Sequence, residues 1–242
     1  MIFEADGVVK TFGGLTAVDH VSFQVAEGET YGLIGPNGAG KTTFLNCVAG
    51  ALKPNGGTVR FNGEDITGLK PEAVCKRGIS RTFQISRPFP RLTVEENVQV
   101  GVVFGAMPAF GAQARQRADE ALEFVRFPLP KSTFADSLNA VQLKRLDLAR
   151  ALAGDPKLLL LDELAAGLTT GELEEIMDLI KKINQMGTTI IIVEHIMKVI
   201  RGVCTRITVI DYGEKIAEGT PDEVMENPKV IEAYLGEKKL TF

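Results

Sequence analysis

The chain has 242 residues, enough for one large α/β domain or a domain with an inserted sub-domain. Hydrophobic residues make up 45% of it, which supports a sizeable core, and the net charge of −4 argues against a nucleic-acid binder working by bulk electrostatics. The three cysteines, Cys47, Cys75 and Cys204, are far apart and odd in number, so they read as small core residues in a reducing compartment, not as a zinc site or disulfide framework. The first ten residues carry Glu4 and Asp6 and lack a long apolar run, so no secretory signal is expected. The apolar runs at 158–161 and 190–193 are far too short to span a bilayer. A soluble chain is expected, one that meets a membrane only through a partner.

Residues 2–5 and 21–25 alternate as strands. Lys10, Thr11, Phe12, Gly13 and Gly14 between them read as a turn with one aromatic. Residues 58–61 continue the pattern and Asn62-Gly63 marks a hairpin, so a small antiparallel sheet is expected. Within it, residues 30–34 read as a buried strand and residues 43–52 as a helix. Between strand and helix stands Gly35-Pro36-Asn37-Gly38-Ala39-Gly40-Lys41-Thr42-Thr43. This is G-x-x-x-x-G-K-[ST], a phosphate-binding loop in its proper context. Its glycines let backbone bend around an anion, and the helix N-terminus supplies unpaired N–H groups. Lys41 can reach the β- and γ-phosphates, and Thr42 can hold Mg²⁺.

Residues 71–78 look like a short helix, and 79–84 like a strand ending on Gln84. Prolines 88, 90 and 108, with several glycines and phenylalanines, mark a change of character over 88–108. Residues 113–126 and 140–153 carry apolar residues at helical spacing, so 88–150 reads as a mostly helical insertion. The core is then 1–87 with 151–242, in one domain spanning 1–242. Four leucines at 158–161, ending in Asp162-Glu163, predict a buried parallel strand. An amphipathic helix over 172–186, a buried strand over 188–193, then Glu194-His195 follow. After a further helix, a strand over 207–210 and a turn at 211–213, Thr220-Pro221-Asp222-Glu223 reads as a capped helix start. Gly236 is expected to close the last short helix, and the tail to Phe242 is read as disordered.

Asp162, at the end of an apolar strand, is placed to hold Mg²⁺ through water. A second carboxylate beside such a site has an obvious use in polarising an attacking water, so Glu163 favours hydrolysis over group transfer. His195 follows the next strand, so the same sheet edge brings it toward the γ-phosphate. Gln84 also ends a strand and joins the Mg²⁺ or water shell in this reading. Phe12 is a candidate to stack on adenine.

Residues Gly35 to Thr43, Gln84, the acidic strand end and His195, in this order, resemble the ATP-binding subunits of ABC transporters over essentially the whole chain. Phe12-Gly13-Gly14-Leu15-Thr16-Ala17-Val18, Arg81-Thr82-Phe83-Gln84, Arg87-Pro88-Phe89-Pro90-Arg91-Leu92-Thr93-Val94-Glu95-Glu96-Asn97-Val98 and Val230-Ile231-Glu232-Ala233-Tyr234-Leu235-Gly236 look like the branched-chain amino acid importer branch. The resemblance implies a P-loop NTPase fold: a RecA-like, mostly parallel core sheet, an N-terminal antiparallel β sub-domain and an inserted helical sub-domain. It implies ATP and Mg²⁺ as cofactors, Lys41, Gln84, Glu163 and His195 as catalytic residues, and Thr42, Gln84 and Asp162 around the metal. It also implies a second ATP-binding subunit clasping two ATP head to tail, permease subunits, an external solute-binding protein met indirectly, no nucleic acid, and a place at the cytoplasmic face of the cell membrane. The segment after Gln84, with Arg87, Phe89 and Arg91, is where a permease would touch.

The family's signature, Leu-Ser-Gly-Gly-Gln, falls on Leu138-Asn139-Ala140-Val141-Gln142, of which only Leu138 and Gln142 match. Val141 is expected to be the damaging change, because a β-branched residue resists positive φ and its bulk stands where backbone should approach phosphate. Leu164 replaces a usual proline, and Thr169 a usual aspartate or asparagine. The altered signature serves the partner's nucleotide, which favours a heterodimer with one dominant hydrolytic site. Two rival readings remain: a regulatory nucleotide-binding subunit that hydrolyses little, and a soluble ATPase acting on DNA or ribosomes, which the absence of long insertions and the acidic balance disfavour.

Overall fold

A computed structural model describes residues 1–84 and 86–238. The tail over 239–242 lies outside the described residues. Strands β1 (Phe3–Phe12) and β2 (Leu15–Val25) form a long hairpin, closed by a two-residue turn at Gly13-Gly14 with Phe12 opposite Leu15. The turn expected over residues 10–14 is therefore shorter, and Lys10 to Phe12 belong to the strand, because cross-strand pairing extends to the last residue before the glycines. Next come β3 (Thr30–Ile34), α1 (Lys41–Val48), β4 (Gly56–Phe61), β5 (Glu64–Asp65), α2 (Pro71–Lys76) and β6 (Ile79–Arg81). The strand expected to end on Gln84 stops at Arg81, where pairing with the neighbouring strand ends.

Helices α3 (Val94–Phe104), α4 (Gly111–Phe124) and α5 (Ala140–Ala153) pack on one another. The first of these lies in the stretch read only as proline-rich, and it starts at a reciprocal cap between Thr93 and Glu96. The chain then runs through β7 (Leu158–Asp162), α6 (Thr170–Gln185), β8 (Thr189–Val193), α7 (Met197–Val203), β9 (Arg206–Asp211), β10 (Glu214–Gly219), α8 (Pro221–Met225) and α9 (Pro228–Lys238). Helix α9 continues through Gly236, which therefore does not close it.

Two sheets result. An antiparallel sheet has the order β2-β1-β4-β5, and a second sheet the order β10-β9-β3-β8-β7-β6. The second is parallel from β9 to β6, with β10 added antiparallel at one edge. Successive side chains of a strand face opposite sides. Leu158 and Leu160 accordingly join the core shared with Phe3, Phe23, Tyr31 and Phe44, while Leu159 and Leu161 join the core shared with Ile176, Ile180 and Ile200. That double burial is why β7 is an unbroken leucine run instead of an alternating one. Cutting Ile180, fully buried on α6, to alanine would cost about 2–5 kcal/mol. The parallel strands β3, β7 and β8 end side by side, and the loops leaving those ends carry the residues of interest. Among the described residues, no helix is long and apolar enough to cross a membrane.

Candidate functional site: a phosphate-loop cleft

The glycine loop leaves β3 at Ile34 and enters α1 at Lys41. Gly40 holds φ 104°, and a Cβ there would stand 2.1 Å from the Ala17 carbonyl oxygen. Only glycine satisfies both conditions, so the second fixed glycine of the motif is demanded by backbone packing as well as by phosphate. Among the described residues no side chain caps α1, whose N-cap is Gly40, which leaves its first N–H groups for an anion. Lys41 is 6% exposed, and its Nζ donates to the carbonyls of Gly35 and Pro36, each at 2.7 Å. The ammonium is thus held against the loop that it would share with a phosphate.

A cleft of about 440 Å³ opens above this loop. Phe12, Leu15 and Ala17 line one side, residues 37–43 the floor, and Gln84 and Glu163 another side. Phe12 is half exposed there, with Lys10 Nζ 5.2 Å from its ring centroid. A flat apolar face beside a phosphate cradle can take a nucleobase.

Asp162 closes β7 and is 1% exposed. Its Oδ2 accepts from Arg81 at 2.7 Å, and Arg81 also donates to Asn46 Oδ1 on α1 at 2.6 Å. Burial pushes the Asp162 carboxyl above its ordinary range, against the pull of Arg81. Asp162 Oδ1 is buried and, among the described residues, has no hydrogen-bond partner. A buried carboxylate oxygen left open is costly unless something else binds it.

Glu163 follows with φ 49°, in the left-handed region that a residue with a Cβ seldom adopts. Its N–H donates to Val193 O at 2.9 Å, which ties it to the end of β8. Its Oε2 accepts from Gln84 Nε2 at 2.6 Å. Two residues 79 apart in sequence therefore meet at the cleft mouth. His195 does not line this cleft; it is exposed just past β8. Its neighbour Glu194 is fully buried and reaches the turn after Glu163, where Oε1 accepts from Ala165 N at 2.6 Å.

The segment from Leu138 to Gln142 also lies outside the cleft and starts α5. Asn139 caps the helix: its Oδ1 accepts from Gln142 N and its own N–H donates to Gln142 Oε1, both at 3.0 Å. Only the Asn139 amide nitrogen is left to act as an outward donor. Val141 sits in the first turn of α5 and is absent from the residues at positive φ. The expected strain at Val141 does not arise, because the helix begins one residue before it. Thr169, where the resemblance implies an aspartate or asparagine, caps α6 with Glu172. Sequence reasoning missed the roles of Arg81, Lys144, Asp147 and Glu194, whose partners are remote in sequence; the four-residue run from Arg81 to Gln84 was the available signal for the first.

The family described as ABC transporter matches residues 18–166. This chain belongs to that family. A second, narrower family, described as branched-chain amino acid ATP-binding cassette transporter, matches residues 214–239. The high-affinity branched-chain amino acid transport ATP-binding protein LivG of Salmonella typhimurium is 40% identical over 98% of both chains. BraF of Pseudomonas aeruginosa, named for the same function, is 38% identical over 98% of both. Among solved structures, a nucleotide-free ATP-binding cassette of an ABC transporter superposes with TM-score 0.88 at 31% identity, covering 96% of this chain and 98% of that one. A dimeric cassette in a post-hydrolysis state with ADP and Pi superposes with TM-score 0.83 at 30% identity, covering 90% and 98%. The chain is thus an ABC ATPase cassette of the branched-chain amino acid type, with the cassette fold. Cassettes of this family bind ATP and ADP, hydrolyse ATP, dimerise, and assemble with permease subunits.

Proposed function

We propose that this cassette hydrolyses ATP at the cleft above Gly35 to Thr43 and so drives an importer for branched-chain or other hydrophobic amino acids. The observation that carries the mechanism is the 2.6 Å hydrogen bond joining Gln84 to Glu163 at the mouth of that cleft. The solute assignment is supported by the names of the relatives and by the match over residues 214–239.

Lys41 and the loop N–H groups bind and orient the β- and γ-phosphates. Phe12 stacks on the base. Glu163 accepts hydrogen bonds from the attacking water and polarises it, with Gln84 fixing the carboxylate's orientation. His195 donates toward the γ-phosphate once a partner closes the site. Mg²⁺ fits the residues present: Asp162 offers a buried oxygen with no partner among the described residues, and Thr42 and Gln84 supply neutral oxygens of the hard type this cation prefers. When bound, it neutralises charge on the phosphate oxygens.

Residues 88–150 act as a helical sub-domain, with 1–87 and 151–242 as the nucleotide-binding core. Leu138, Asn139, Ala140, Val141 and Gln142 face the nucleotide of a second cassette. The poorer match of this segment favours pairing with a different cassette that has a complete signature. Arg87, Phe89 and Arg91, all beyond Gln84, offer cationic and aromatic groups to a permease at the cytoplasmic face of the membrane. The same altered segment favours one second reading, a regulatory subunit that closes on ATP but hydrolyses little.

The experiment is uptake of labelled leucine into cells or proteoliposomes carrying the complete transporter. Uptake should require this chain and stop with Lys41→Ala. Uptake unchanged by that substitution would refute the transport reading.

A further inference from the structure

Lys144, Asp147 and Arg150 recur every third residue along α5, so they share one face of the helix that begins at the signature segment. Lys144 Nζ donates to the carbonyls of Leu164 at 2.9 Å, Glu163 at 3.4 Å and also Ala166. Glu194 grips the other side of the same turn through the Ala165 N–H. One turn of α5 further on, Asp147 is 3% exposed, and its Oδ2 accepts from the N–H of Phe83 at 2.8 Å. Arg150 donates to Asp147 Oδ1 and to the Arg87 carbonyl, the latter at 3.0 Å. The chain is therefore tied to α5 on both sides of Gln84. The two tied loops meet each other through Gln84 and Glu163.

We infer that Lys144, Asp147 and Arg150 are positioning residues for hydrolysis: one face of α5 latches the loops carrying Glu163 and Gln84 in register with the signature segment. This rests on the proposed roles of Glu163 and Gln84. None of the three lines the cleft, so they act through those two residues. The latch centres on the buried Asp147 carboxylate, where an unmade bond is expensive, and its other charged contacts are part-buried apart from the exposed Arg150–Arg87 bond. Burial lowers the Lys144 pKa, while the Glu194 and Glu163 charges oppose that. Whatever turns α5 when the signature segment meets a partner's nucleotide also moves the water-polarising carboxylate and its glutamine. Permease contact beyond Gln84 reaches α5 by the same bonds.

The test is steady-state ATPase of the assembled complex with Lys144→Met, Lys144→Arg, Asp147→Asn and Glu163→Gln. Lys144→Met keeps the hydrocarbon stem and removes the donors. It should lower kcat by about ten- to a hundredfold, the scale of a small misplacement, with the KM for ATP within about twofold. Lys144→Arg should recover most of kcat, and Asp147→Asn should lower it in the same sense. In the nucleotide-free chain, Lys144→Met should also speed amide exchange over residues 163–168 and leave residues 41–48 unchanged. Unchanged kcat and exchange in Lys144→Met, with Glu163→Gln inactive, would overturn the latch alone. Full activity in Glu163→Gln would overturn the reading on which it rests. If Lys144→Met does not fold, Asp147→Asn carries the same expectation and the same refutation.

Discussion

Replacing Arg81 with methionine should destabilise the nucleotide-free chain by about 3 kcal/mol, the lower end of the range for breaking a buried ion pair. The Arg81 side chain is 7% exposed and that of Asp162 is 0% exposed, so solvent screens neither partner. Without the guanidinium, the buried Asp162 carboxyl loses its ion-pair partner while its Oδ1 has none among the described residues, and Asn46 loses its donor. Burial already pushes the Asp162 carboxyl upward, so it can take up a proton once the guanidinium is gone, which is why the loss falls at the lower end of that range. Against a total stability of about 5–15 kcal/mol, the effect is readily measured. Urea unfolding at neutral pH, followed as one cooperative transition, is the assay. The double substitution Arg81→Met with Asp162→Asn removes both charges and should recover about 2 kcal/mol of the loss. A single-substitution loss below about 1 kcal/mol would refute the reasoning, as would a double variant no more stable than the single.

Gly40→Ala meets both a positive φ and the Ala17 carbonyl, so ATP binding measured by titration should weaken by at least about tenfold, with about 1–3 kcal/mol of backbone strain. Asn139→Ala removes the cap of α5 and should cost about 1 kcal/mol in urea unfolding, while Asn139→Ser should be near neutral. Burial raises the pKa of Glu194 above its unfolded value, so its contribution is fully present below the unfolded pKa and is lost as pH rises through the folded one. Relative to Glu194→Gln, the wild type should therefore gain stability as pH falls from 8 toward 5; a difference in Tm that does not change with pH would contradict this.

What the sequence revealed and what it hid have different physical sources. Local signals were legible: the leucine run of β7, buried on both faces, and the Thr220-Pro221-Glu223 start of α8, whose cap forms as the residue types demand. The phosphate loop was legible because its glycines, lysine and threonine are contiguous. Helix α3 carried the same kind of cap at Thr93 and Glu96, but neighbouring prolines and glycines masked it. Bonds between distant segments were not legible. Arg81 meets Asp162 and Lys144 meets the turn after Glu163 only because β6 pairs with β7 and α5 packs across their ends. The backbone of Val141 was misjudged for a related reason: its conformation is set by where α5 begins, and with Asn139 as the cap the helix starts at Ala140, one residue before the valine.

The most direct measurement is the steady-state ATPase rate of the purified chain with its partner cassette, wild type against Glu163→Gln, with ATP binding followed in parallel. The carboxylate at the cleft mouth predicts a fall of at least about a hundredfold in rate with ATP still bound. Equal rates for the two proteins would contradict hydrolysis at this site and leave the regulatory reading in its place.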